Sequence, residues 1–164
     1  MHDLKLLSEE AIPAALEKAE RYRFLNEPAE AESICLDVLQ IAPDNQQALI
    51  ILLLAMTDRL TKGYGVSDTQ TRELLDRLQG DYERAYYAGI IAERRAKMRL
   101  AQGLPGSGWA YDLFCEAMNC YEKAEAVRAA GNDDALLRWN TCARIIAKNK
   151  LVARQEERME FPLE

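Results

Sequence analysis

The sequence predicts an all-α protein of about seven helices, paired as antiparallel hairpins and closed by a C-terminal capping helix. Three observations predict it. Apolar residues recur at helical spacing through successive segments. Glycine, proline and asparagine interrupt that spacing between the segments. Small residues, Ala19 in the first segment and Ala31 in the second, fall where two antiparallel helices must touch, and Tyr22, Cys35, Val38 and Leu39 fill the space beside them.

The first hairpin spans residues 12–45, with Asn26, Glu27 and Pro28 as its break and Pro43, Asp44 and Asn45 as its end. The second spans 46–79. Asp44 is placed to cap its first helix, with Gln47 three residues on as in a capping box. The interior of that helix, ALIILLLAM, is apolar nearly all round, which marks a central helix covered on several sides. A turn follows at 61–66. Ser67 and Gln70 form a second capping-box pair, opening a short helix to about Gln79 with Leu74, Leu75 and Leu78 inward.

The third unit, 80–131, has longer helices. Its first, 81–102, carries a stripe of Tyr82, Ala85, Tyr86, Gly89, Ala92, Ala96 and Leu100, and Gly89 leaves room for a neighbouring helix to approach. Residues 103–108, with three glycines and a proline, read as a break. The next helix, about 109–130, puts Leu113, Ala117, Tyr121 and Ala124 on one face. Gly131 and Asn132 end it and cap the last helix, about 133–157, whose inward positions are Leu136, Trp139, Ala143, Ile146 and Lys150. Residues 159–164 read as a flexible tail, so the single domain covers 1–158. A two-hairpin core beside a separate three-helix bundle is the alternative topology.

The segment IPAALEKAERYRFLNEPAEAESICLDVLQIAPDN resembles a tetratricopeptide repeat, with the match at Ala19, Tyr22, Ala31, Val38 and Pro43. The run AMNCYEKAEAV is similar to the second helix of such a unit, with Ala117, Tyr121 and Ala124 in register. Lys18 and Ala15 depart from the leucine and tryptophan common at those places. The resemblance implies a right-handed stack of hairpins, an α-solenoid that acts as a scaffold or adaptor for another polypeptide. It implies a groove lined by the first helix of each hairpin: Leu16, Glu20, Arg23, Gln47, Ile50, Leu54, Tyr86, Tyr87, Ile90 and Arg94. Ile50, Leu54 and Ile90 fit equally well as residues packed beneath the last helix. Leu16, Glu20 and Ile51 stand where some members of the family place carboxylate-clamping lysines and asparagines, so that clamp is not expected.

Composition narrows the remaining classes. At 164 residues the chain should bury roughly 70% of its unfolded surface, enough for one core without metal or disulfide. The net charge of −6, with both signs interspersed, argues against a general binder of nucleic-acid backbones. The amino terminus lacks the pattern of a secretory signal, and the longest apolar run, 48–56, is far short of the ~20 residues of a membrane span. A cytoplasmic protein is expected. The only histidine is His2, and no metal-ligand cluster, cofactor loop or nucleophile–histidine pair is legible, so neither catalysis nor a cofactor is expected. Cys115 and Cys120, five apart on one helix, point about 140° apart and cannot bond to each other. Cys35 and Cys142 read as small buried hydrophobes. Glu9, Glu10, Asp133 and Asp134 sit at helix starts, where acidic groups suit the dipole. The basic run Arg94, Arg95, Lys97 and Arg99 reads as a solvated or internally paired face, with an acidic partner as the alternative. Self-association as a homodimer through Trp109, Tyr111 and Phe114 is the second functional reading.

Overall fold

A computed structural model describes residues 2–63 and 65–154. Among them are seven α-helices: α1 (Ile12–Phe24), α2 (Pro28–Ile41), α3 (Gln46–Asp58), α4 (Asp68–Arg77), α5 (Asp81–Ala101), α6 (Leu104–Ala126) and α7 (Asp134–Asn149), with short 3-10 turns at Glu9–Ala11 and Arg59–Lys62. The all-helical expectation holds.

The turn after α1 follows from Asn26, which adopts the left-handed conformation at φ 61°. Its N–H donates to the Arg23 carbonyl at 2.9 Å and that of Glu27 to the Tyr22 carbonyl at 2.9 Å, the paired bonds of a Schellman ending. Pro28 then starts α2, where a missing N–H costs nothing. α1, α2 and α3 pack in sequence, α2 lying against both neighbours. Asn45 caps α3, its side chain accepting from the Ala48 N–H at 2.9 Å. The expected cap, Asp44, lies one residue outside this position. α3 is buried on several sides through Leu49, Ile51, Leu52, Leu53 and Ala55, as its composition implies.

Ser67 caps α4 through the Gln70 N–H at 3.4 Å. That helix ends at Arg77 and buries only Thr71 and Leu74 along its length, so it packs lightly on α3 and α5. Leu78, just past its end, is 1% exposed.

α5 and α6 form the most extensive helix pair. Gly89 is the close point: a Cβ there would lie 2.5 Å from the Tyr121 ring. α6 begins at Leu104, a turn and more before the expected start, so residues 103–108 are not a break. Gly103, at φ +79°, makes the turn and Pro105 fits the first helical turn. Gly106 is required by packing, since a Cβ would stand 2.1 Å from the Arg99 carbonyl oxygen.

α7 stops at Asn149, well short of residue 157. Lys150 adopts φ 51° and turns the chain, so it leaves the helical stripe. Leu151 returns to the core at 8% exposed, and Arg154 lays its guanidinium 3.4 Å from the Trp109 ring centroid while pairing with Asp112 at 2.8 Å. The expected tail, 159–164, lies outside the described residues.

Two cores result. The first joins α1–α4 around Ala19, Cys35, Val38, Leu49 and Leu53, with Ile91 from α5. The second joins α5–α7 around Phe114, Ala117, Tyr121 and Cys142, with Ile90 from α5. Tyr87 packs against both.

Candidate functional site

Along one side α3 packs against both α1 and α5, and besides their apolar contacts the three helices share a charged bridge. Asp58, at the end of α3, accepts from Arg23 of α1 at 2.8 Å and pairs with Arg94 of α5 at 2.8 Å. Arg94 also donates to the Leu54 carbonyl at 2.8 Å and to the Thr57 hydroxyl. The three side chains are 15–23% exposed, so their attraction is only partly screened by water. Burial lowers the Arg94 pKa from its ordinary value, and Asp58 opposes that shift.

Beside this bridge stands a tyrosine cluster on α5. Tyr86 stacks on Tyr82 at 5.5 Å, meets Tyr87 edge-on at 5.1 Å and leans on Tyr121 of α6 at 5.9 Å. Tyr87 is half-buried, and burial pushes its phenol up to about 12.

The residues implied as groove lining divide accordingly. Arg23, Leu54 and Arg94 are brought together around Asp58, and Tyr86 and Tyr87 touch each other. Glu20 and Ile50 are half-buried, and Gln47 is exposed. Leu16 and Ile90, each 4% exposed, lie inside the cores and present no surface to a partner, because their helical positions face α2 and α6 rather than solvent. Leu54 likewise packs on the second core and Ile50 on the first.

Of the two charged residues central to this region, Asp58 goes unmarked in the sequence, and Glu93 reads there only as an ion-pair partner of the basic run, not as a buried group. Asp58 follows Leu54 by one helical turn and continues the series Gln47, Ile50, Leu54, which was the available signal. Glu93 lies one turn after Gly89, on the stripe that faces α6. It is 1% exposed, accepts from the Tyr121 hydroxyl at 2.6 Å, and pairs with Lys97 at 2.5 Å and Arg138 of α7 at 3.3 Å. A carboxylate with three donors satisfies the demand of a buried charge. Burial, then the Glu93 charge, pushes the Tyr121 phenol far up.

The basic run is internally engaged. Arg94 reaches Asp58, Arg95 reaches Asp68 at 2.5 Å, Lys97 reaches Glu93, and Arg99 reaches the Gln102 side chain at 3.4 Å. Of the residues expected at a homodimer face, Phe114 is fully buried in the second core, while Trp109 is 48% exposed beneath Arg154. Cys35 and Cys142 are buried, and burial raises both thiols to about 12. Among the described residues no group of three or more His, Cys, Asp or Glu side chains could hold a metal ion, and no helix is long and apolar enough to cross a membrane.

The chain matches no protein-family model, no curated protein and no solved structure at a significant level of similarity.

Proposed function

We propose that this chain is a helical-repeat scaffold of tetratricopeptide type that holds a partner polypeptide on the face built by α1, α3 and α5. The observation that supports this reading is the Arg23–Asp58–Arg94 bridge, in which one carboxylate of α3 ties α1 to α5. Around it, Glu20, Gln47, Ile50, Tyr86 and Tyr87 supply part-exposed polar, aliphatic and aromatic surface, the mixture that suits an interface with an anchored centre. The partner would lie across the bridge, its chain running from α1 toward α5.

The test uses the purified chain as bait, with bound proteins cross-linked and mapped by mass spectrometry. A partner should cross-link to this face, and the double variant Glu20→Arg, Gln47→Arg should reduce its capture at least about tenfold with the melting temperature unchanged. Capture that survives this variant, or cross-links confined to α6 and α7, would refute the assignment.

A second reading, a self-associating subunit, is favoured by exposed apolar surface at the start of α6. Leu104 is 90% exposed and Trp109 48%. Light scattering decides it: a uniform dimer that Leu104→Lys with Trp109→Lys converts to monomer would support self-assembly, and a monomer at all concentrations would exclude it.

A further inference from the structure

On the opposite side of α3 the fold leaves a cleft of about 590 Å³ between α2, α3 and α4. Leu52 and Met56 form its floor, and they lie about 200° around the helix from Ile50 and Leu54 of the proposed partner face. Its walls are Leu36 of α2 and Leu74 of α4. The cleft exists because α4 is short and packs lightly, so its side turned toward α2 is not filled by another helix. Leu36 is 53% exposed, an uncovered large apolar side chain at the cleft's edge.

The rim is acidic. Glu73 and Asp76 of α4 stand on it, both exposed and neither in an ion pair among the described residues. Glu32 adds a third carboxylate, paired with Arg59 at 2.6 Å. Among the described residues that line the cleft, the one cation, Arg77, is turned to the Pro43 carbonyl at 2.6 Å. An apolar floor flanked along α4 by Glu73 and Asp76 complements a helix with one leucine-rich face and lysine or arginine on its flank.

We propose that this cleft docks a basic amphipathic helix. Its apolar residues would seat on Leu36, Met56 and Leu74, and its flanking cations would meet Glu73 and Asp76. On α4, Gln70, Glu73, Leu74 and Arg77 follow the i, i+3, i+4, i+7 pattern of one helix face, so the seat spans about two turns of a partner. This site is separate from the α1–α3–α5 face and does not depend on it.

The experiment uses the full chain and a fluorescein-labelled 15-residue peptide with leucine at helical i, i+4, i+7 and i+11 positions and lysine elsewhere. A control peptide keeps the leucines and carries glutamate in place of lysine. Anisotropy should show the basic peptide binding at least about tenfold tighter than the acidic one, with an affinity that falls as salt rises. Leu36→Asp, and separately Glu73→Lys with Asp76→Lys, should each weaken the basic peptide at least about tenfold. All three positions are exposed, so the fold is retained, which circular dichroism verifies. Equal binding of the two peptides would overturn the proposal, as would a Leu36→Asp variant that binds unchanged. Weakening of the same size by Gln47→Arg would also overturn it by moving the peptide to the other face. A chain that self-associates, loses that association with Leu36→Asp and ignores the basic peptide would assign the cleft to a second copy instead.

Discussion

The Tyr121 hydroxyl donates to Glu93 at 2.6 Å, and the same tyrosine ring lies where a side chain on Gly89 would be. One residue of α6 thus senses two positions of α5 a single turn apart.

Tyr121→Phe removes a hydrogen bond to a buried carboxylate, which should cost about 2 kcal/mol. Gly89→Ala forces the ring to shift and should cost about 1–3 kcal/mol by overpacking. Because the shift itself breaks the Glu93 contact, the double variant should lose less than the sum of the two. Chemical denaturation of the four proteins checks this; full additivity would mean that the ring moves without losing its partner.

Asp58→Ala leaves Arg23 and Arg94 facing each other without their shared anion. The loss should be about 2 kcal/mol, and Asp58→Asn should recover part of it by keeping hydrogen-bond acceptance. Urea unfolding at low and high salt is the measurement. A larger loss at low salt identifies repulsion between the two guanidinium groups as the cause.

The thiols of Cys35 and Cys142 are pushed by burial from 9.0 up to about 12. The folded state favours their protonated form, so their contribution to stability is complete below about pH 9 and is lost as pH rises through 12. At pH 8 both should alkylate with iodoacetamide at least about tenfold more slowly than half-buried Cys115, and react at similar rates only in denaturant. Peptide mass spectrometry reads the order directly. Early modification of Cys142 would show that α7 opens from the second core.

Lys150 holds a left-handed conformation at φ 51°, a region that costs a non-glycine residue about 1 kcal/mol. Lys150→Gly should therefore raise stability by up to about 1 kcal/mol, a shift of roughly 2–4 °C in melting temperature for a chain of this size. A lower melting temperature would mean that the lysine stem contributes packing that outweighs the backbone gain.

The helices themselves were legible because apolar spacing and caps act locally. Ser67 and Gln70 announce the start of α4, and Gly89 announces the approach of Tyr121. What stayed hidden was decided by distant partners. Gly103 to Gly108 looks like a break, yet Gly106 is helical, and it is glycine because the Arg99 carbonyl leaves no room for a side chain. α7 ends at Asn149 because Leu151 has a core to return to. Glu93 sits in a run of charges that reads as surface although it falls on the stripe of Gly89; its partners Tyr121 and Arg138, far along the chain, make it a core residue. Asp58 was hidden for the same reason, since its role depends on arginines from two other helices.

Ile90 and Ile91 are adjacent in sequence, yet one enters the second core and the other the first. A helix gripped on both sides in this way cannot roll about its axis to relieve crowding in one half without opening a gap in the other. Strain introduced along α1–α4 should therefore be felt by α6 and α7, and the two halves are expected to melt together in one cooperative transition rather than one after the other.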